Sequence, residues 1–505
     1  MDQYILTIDR GSTNIKVVLF NKRLEQVYMV SAPNAEPIAD QEGWREFDLD
    51  YAWQQACELI QQVLANFCTA GQIMAVSFSA HGNGLILLGE DKRPVMNGIY
   101  SLDSRAAGIF DAWQVDGLFD KAVEELRFPF QSGSTMPLFA WVKQNKPELL
   151  EKARHLIYPK DWLRYCFTGE LATDYTDASG TGILSHEQQT FPQEVFELLG
   201  IAELSRLLPP LRHSHEQAGT VTAGAAETSG LLQGTPVIVG GHDICVCPAG
   251  ITDTSEKVLI STFGTWSVSV MNATDTEQLP VVMNHALEGS FLTGVGDGNA
   301  GAALDTMLRL CFADKMAESE KSGASIHDWV ERSIAASDRN ALLFVPHLFG
   351  NIFNPVASSS MLGLRGHTDR LEILKALCEG ILLGYRANIE LLPPFQFVDK
   401  IWLTGGGGRG NLLGQVMADI FEREVYVSEE CEMSARGAAV CAMIGLKQID
   451  SVSEARAPRI RKIFTPDPEM FDYYRRKMVL LNKVLAGGDS ILSQLDELQM
   501  ENTCT

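Results

Sequence analysis

The sequence predicts an α/β protein of two domains closed about one cleft, and three observations carry that expectation. Its 505 residues exceed what one hydrophobic core usually supports, so two domains are expected. Strand-like and helix-like segments alternate along both halves, which favours layered α/β architecture. The opening pattern also returns about half a chain later. Tyr4–Phe20 and Val258–Met271 are each two β-rich runs joined by a turn, Gly11-Ser12-Thr13 in one and Gly264-Thr265 in the other. A duplicated unit offering this turn twice would form two jaws. Gly-Thr between strands is common, however, and chance also produces such an echo.

Taken in order, Tyr4–Ile8 and Ile15–Phe20 read as strands flanking Asp9, Arg10, Gly11, Ser12, Thr13 and Asn14. Gly and Asn supply the hairpin turn. An acid, two hydroxyls and then Lys16 are more than a turn needs. Tyr51–Phe67 has helical spacing, and Met74–Ser79 and Leu85–Leu88 read as strands. Beyond them, "SAHGNGLILL" carries His81 and "SLDSRA" carries Asp103 and Arg105. These polar groups suit a hydroxylated ligand, or else a structural histidine and a surface ion pair. In "VIVGGHDICVCPAG" a strand ends at Gly240-Gly241, followed by His242 and Asp243. A carboxylate there either accepts a proton from a substrate hydroxyl or caps the next helix.

No low-complexity linker separates the halves, so the expected domains are 1–250 and 251–505, crossing near Ile251. A second series runs from Lys257 to Leu446, with a long helix at Arg370–Leu392 and a strand at Lys400–Leu403. Four glycines, 405–408, precede a helix expected near Asn411, and glycines there let backbone approach an anion. Gly405-x-Gly407-x-x-Gly410 with Glu429 also matches the dinucleotide fingerprint, which keeps a Rossmann oxidoreductase open. No Gly-x4-Gly-Lys-[Ser/Thr] motif occurs. Asp467–Ala486 reads as a late helix, and Asp489–Leu498 as another after a break at Gly487-Gly488.

Composition narrows the function. With 46% hydrophobic and 21% charged residues the chain is an ordinary globular protein. Its net charge of −23 argues against nucleic acid or an anionic membrane as partner. An anionic substrate would need local donors or a metal ion to overcome that field. The ten cysteines show one tight pair, Cys245-x-Cys247, and no zinc spacing, as expected of reduced thiols in the cytoplasm. The N-terminus does not read as a signal peptide, and no apolar stretch approaches membrane-span length.

In their joint order these motifs resemble the FGGY carbohydrate kinases of the actin-like ATPase superfamily. Asp9-x-Gly11-Ser12-Thr13-Asn14-x-Lys16 is similar to the family's first phosphate motif, and Ser261–Thr265 to its second. Thr404–Gly407 through Asn411, with Gln415 and Ala418-Asp419, is similar to its adenosine motif. Gly240–Asp243 falls where the family keeps its catalytic aspartate. "PKDWLRYCFTGELATDYTDASGTG" (159–182), "HTDRLEILKALCEG" (367–380) and "RGAAVCAMIG" (436–445) add support.

The resemblance implies two actin-like (ribonuclease H-like) domains enclosing a central catalytic cleft. The N-terminal one would be sugar-binding and catalytic; the C-terminal one would bind nucleotide and end in helices. It implies ATP and Mg²⁺ as cofactors. ATP would be bound by Gly11, Ser12, Thr13, Asn14, Lys16, Gly264, Thr265, Gly406, Gly407 and Asn411. Asp9 and Asp243 would serve the metal. Asp243 would be the base, and His81, Asp103, Arg105 and Asp243 would meet the sugar. Closure would exclude water, so that sugar rather than solvent is phosphorylated. The implied partners are the sugar and ATP, with a homodimer as the candidate assembly.

Three stretches depart from the family pattern. Its Gly-Glu-Arg-x-Pro is "GNIFNP" here (350–355), and its Trp-x-Asp-x-Arg begins with Ser101. "STMPLFAWVKQNKPE" (134–148) lacks a lysine often found before its Trp141. "SAHGNGLILL", the Ser101 replacement and the missing Glu-Arg are most similar to the L-xylulose kinase branch, so a ketopentose is the expected substrate. Other acceptors (glycerol, gluconate, ribulose) and a non-kinase actin-like ATPase are the alternatives.

Overall fold

The computed structural model describes residues 2–503 apart from 40, 336–339, 351–356, 409 and 430–431, with backbone alone at 335 and 487–503. The opening hairpin forms as its sequence dictates. All seven residues of β1 (Tyr4–Arg10) are buried, which suits an apolar run at the centre of a sheet. The first sheet also contains β2 (Asn14–Asn21), β3 (Gln26–Pro33), β4 (Ile73–Ala80), β5 (Gln217–Thr220), β6 (Pro236–Ile238) and β7 (Gly241–His242). Its order is β5-β6-β4-β1-β2-β3, with β7 also paired to β4. β1 runs antiparallel to β2, placing Asp9 opposite Lys16, and parallel to β4, placing Arg10 opposite Ala80.

The second sheet contains β8 (Val258–Phe263), β9 (Ser267–Ala273), β10 (Phe291–Asp297), β11 (Lys400–Thr404), β12 (Glu424–Ser428) and β13 (Ile460–Phe464). These lie in the order β10-β9-β8-β11-β12-β13, and a short edge strand, Met283–Asn284, pairs to β10. Here too the hairpin strand β8 is antiparallel to its successor and parallel to a distant strand, β11. Each sheet then ends on an antiparallel edge, β5 on β6 and β13 on β12. The two halves therefore share one strand order, and the sequence echo is a repeat of topology.

The helices follow their expected signals. Leu49–Asn66 starts at Asp48, whose side chain accepts the Tyr51 N–H, and buries Ala52, Ala56, Leu59, Ile60 and Val63 along one stripe. Arg370–Glu390 starts at Asp369 with a capping box to Glu372. One expectation is corrected. The last helix runs unbroken from Pro468 to Thr503, through Gly487-Gly488. Glycine costs only about 1 kcal/mol in a helix interior, so it weakens a helix without having to end it.

The chain divides into two units. The first comprises Met1–Glu256, Asn272–Thr293 and Glu432–Pro458, and the second Lys257–Met271, Gly294–Cys431 and Arg459–Thr505. Two segments from the later half of the sequence thus complete the first unit. The stretch 350–355 lies, beyond Gly350, outside the described residues. Among the described residues no helix is long and apolar enough to cross a membrane.

Candidate active site

The two hairpin turns are built alike. Gly11 N–H donates to Asn14 O and Gly264 N–H to Trp266 O, each at 3.0 Å. Ser12, Thr13, Asn14 and Thr265 are exposed. The Lys16 ammonium meets Glu432 at 2.5 Å and Asp9 at 3.5 Å. Burial works against its charge, but the two carboxylates outweigh that and hold its pKa raised.

In the second unit a helix (Gly301–Cys311) abuts the Gly264 turn. Gly301 N–H donates to Gly264 O at 3.1 Å and Ala302 N–H to Thr265 O at 2.9 Å. A Cβ at Gly301 would lie 2.6 Å from the Gly264 oxygen, so only glycine allows this approach. The glycine run follows β11, where the Thr404 and Thr262 hydroxyls meet at 2.9 Å. Gly405 takes a φ of +75° and Gly406–Gly408 form a single tight turn. Asn411 then precedes the helix Leu412–Phe421 and accepts from Lys462 at 2.7 Å.

Asp243 follows β7 directly. Gly240 adopts a φ of +72°, and a Cβ there would strike the Phe78 carbonyl, so the chain can turn back onto β4 only with glycine. His242 precedes the short helix Asp243–Val246 at its cap position, so Asp243 is not the cap. Asp243 Oδ1 accepts the Ile244 N–H at 2.7 Å. Burial pushes its carboxyl up to about 7, and the charge of Asp9 adds to the rise. An acid held near neutrality can take a proton at physiological pH.

His242 is positioned from behind by a chain of buried groups. Its N–H donates to Thr176 Oγ1 at 2.8 Å, and that hydroxyl donates to Asp174. Asp161, Asp174 and Asp177 offer oxygens within 4.8 Å of one another, as a metal site would. The Lys160 ammonium is seated among them instead, 2.6 Å from Asp161, 2.7 Å from Asp177 and paired with Asp174.

His81 is buried beside Tyr100, with ring centres 5.5 Å apart and Nδ1 3.3 Å from the Gly82 carbonyl. Burial, helped by the charge of Arg10, pushes it down to about 4, so its ring is neutral. Asp103 and Arg105 form a pair with fully buried side chains rather than a surface one. Asp103 accepts the Arg105 Nε and Nη2 at 2.8 Å each, and the Arg45 N–H at 2.6 Å. Arg105 also meets Glu46 at 2.9 Å and stacks on Trp44, its guanidinium 4.0 Å from the ring centre. Sequence reasoning does not single out Arg10, Tyr100 or Trp44. A signal for Arg10 exists, a charged residue among apolar ones at the end of a central strand.

A half-sheet that recurs in each unit, each time with a glycine turn beside exposed hydroxyls, suits a phosphotransferase acting on small hydroxylated molecules. The chain belongs to the FGGY family of carbohydrate kinases: the family's N-terminal domain matches residues 4–249 and its C-terminal domain residues 259–446. It is 29% identical over 483 residues to a probable L-xylulose kinase of Pasteurella multocida, covering 94% of this chain and 96% of that one. To the L-xylulose/3-keto-L-gulonate kinase of Escherichia coli it is 26% identical over 510 residues, covering 98% and 99%. In fold it resembles xylulose kinase from Lactobacillus acidophilus (TM-score 0.88, 22% identity, 98% and 100% coverage). It also resembles gluconate kinase from the same organism (TM-score 0.87, 23% identity, 96% and 98% coverage). The protein is an ATP-dependent sugar kinase with the two-domain actin-like fold of that family.

Proposed function

We propose that this kinase phosphorylates a ketopentose such as L-xylulose, with Asp243 as the base that accepts the proton of the attacked hydroxyl. The carrying observation is the Asp243 carboxyl, raised to about 7 with the neutral, buried His242 ring 3.5 Å away. The names of the Pasteurella and Escherichia relatives favour L-xylulose over glycerol or gluconate. His81 would hydrogen-bond the sugar. Asp103 and Arg105, occupied with one another, would shape the pocket wall and offer the sugar what capacity their pairing leaves.

The ATP phosphates would be met by backbone N–H groups and hydroxyls of Gly11, Ser12, Thr13 and Asn14, with Lys16 adding positive charge. Gly264 and Thr265 would contribute in the same way, and Gly406, Gly407 and Asn411 would hold the adenosine side. Asp9 and Asp243 fit Mg²⁺, since both are hard oxygen donors and their mutual repulsion raises Asp243. They would hold the ion largely through water, and the bound ion would neutralise phosphate charge. The described thiols are free, which agrees with a cytoplasmic setting.

The test is an ATP-coupled screen across pentuloses, polyols, glycerol and aldonates. Highest kcat/KM on L-xylulose, abolished in Asp243→Asn, supports the reading. Turnover best on glycerol or a neutral polyol would refute the substrate, and an active Asp243→Asn would refute the base.

A further inference from the structure

Lys16 stands on β2 opposite Asp9, just past the turn that carries Gly11, Ser12, Thr13 and Asn14. Its ammonium keeps 3.5 Å from Asp9 and closes to 2.5 Å on Glu432, a residue 416 positions later in the chain. Both side chains are largely sheltered, with 27% of the lysine and 13% of the glutamate exposed. All three residues belong to the first unit. An ion pair taken this far out of water is a weak source of stability, because desolvation of the two charges offsets much of their attraction. Its place beside the first glycine turn calls for another account.

Glu432 is fixed by backbone packing. The chain returns to the first unit at this residue and runs directly into the helix Met433–Gly445. Glu432 O accepts the Arg436 N–H at 2.9 Å, and the Arg436 guanidinium donates to the carbonyls of Leu24, Gly250 and Arg456. A Cβ at Gly437 would lie 1.9 Å from the Val246 oxygen, and one at Gly250 would lie 2.4 Å from the Met433 oxygen. The helix therefore rests backbone against backbone on the stretch 243–250, which begins with the Asp243 base. A rigid element presents the carboxylate, and the flexible lysine stem adapts to it.

We propose that Glu432 is a positioning residue that shares Lys16 with the nucleotide phosphates and holds nucleotide affinity down, so that ADP leaves after transfer. This rests on the reading of the first turn as a phosphate site. An ammonium has three N–H donors, and Glu432 engages one while the others stay able to reach a phosphate oxygen. The entering phosphate gains the lysine charge but meets a fixed carboxylate behind it, whose repulsion cancels part of that gain. Product release often limits turnover, and a nucleotide held by an unshared lysine would leave more slowly. Glu432 makes and breaks no covalent bond.

The experiment measures ADP and adenosine binding by calorimetry, without sugar, in wild type, Glu432→Gln and Lys16→Met. Glu432→Gln keeps the side chain's shape and removes its charge. It should bind ADP about three- to tenfold more tightly than wild type, with adenosine unchanged, while Lys16→Met should bind ADP about tenfold more weakly. In turnover assays Glu432→Gln should lower the ATP KM and the ADP inhibition constant together and leave the sugar KM alone. Damaged packing would weaken binding, so tightening specific to the phosphates marks the shared cation. Unchanged or weaker ADP binding in Glu432→Gln, with Lys16→Met still impaired, overturns the proposal and leaves the phosphate reading standing. Adenosine tightening in step with ADP overturns it as well. If Lys16→Met binds ADP like wild type, the phosphate reading of Lys16 fails and the proposal falls with it. Should Glu432→Gln not fold, Glu432→Asp, which draws the charge back by one methylene, is judged by the same outcomes in smaller measure.

Discussion

His242 Nε2 lies 3.5 Å from Asp243 Oδ1, yet the two titrate in opposite senses. Burial pushes the imidazole down to about 3 and the carboxyl up to about 7. At neutral pH the neighbour is therefore an uncharged ring, which neither neutralises the base nor competes with it for a proton. With Asp243 as the proposed base, kcat/KM should rise with pH and level off once that carboxyl, held up to about 7 in the metal-free protein, is ionised. Below that it should fall about tenfold per pH unit, and a pH profile at subsaturating sugar measures it.

Asp243→Asn should lower kcat by about 10²–10⁴ with ATP affinity little changed. Its effect on stability has a definite sign. Between the ordinary carboxyl value and about 7, the folded protein retains a proton that the unfolded chain has released, so wild-type stability falls as pH rises across that window. The asparagine variant lacks this penalty. Its Tm should equal or exceed that of wild type at pH 8, and a clearly lower Tm there would contradict the shift.

Lys160→Met should be strongly destabilising, by about 3–5 kcal/mol in urea unfolding. It leaves Asp174 and Asp177 facing Asp161 without the ammonium that joins all three, only Asp161 keeping a cation, Arg164 at 3.1 Å. Burial lowers the lysine pKa, but the three aspartates outweigh it and hold it raised overall. Because Asp174 positions Thr176 and hence the His242 backbone, the folded fraction should also lose kcat more than sugar affinity. Wild-type stability would remove the cluster from this account.

His81→Ala should lower kcat/KM for the sugar by about ten- to hundred-fold, since a site built for a hydroxyl leaves a group unpaired without it. The ATP KM measured on the same preparation should barely move. A folded variant with wild-type sugar kinetics would place His81 outside the pocket.

Thr13→Val and Thr265→Val should each weaken ATP use by about tenfold, because each removes an exposed hydroxyl from a phosphate-type turn. Wild-type ATP kinetics in both would leave the turns without that role.

Much of the fold is legible in the sequence because its signals are local. A strand–glycine–strand pattern fixes a hairpin, and an Asp-x-x-Glu box starts the helix at Arg370. What local signals do not carry is pairing across long separations. Lys160 and its aspartates form part of a recognisable motif, but only the fold shows that one ammonium meets three acids. Arg10 stands next to Asp9 in a motif rich in signals, yet that its Nη2 reaches the Tyr100 hydroxyl while Nε and Nη1 stay unpaired is a property of its surroundings and leaves no mark in the sequence. The expected break at Gly487-Gly488 does not occur because propensity is a weak term that neighbouring helical residues override.

The helix Met433–Gly445 has a consequence for the order of events on the ribosome. Its Ala435, Ala438, Ala439 and Ala442 share one core with Ile5, Val18, Ala75 and Ile238, and the Arg436 guanidinium holds the carbonyls of Leu24 and Gly250. The unit that begins at the N-terminus is thus finished by residues synthesised after most of the other, though before its last segment, Arg459–Thr505. During translation its first 256 residues must wait with one apolar face uncovered until that helix emerges. Synthesis speed and chaperone cover over that interval, rather than the strength of any single contact, should govern the yield of native protein.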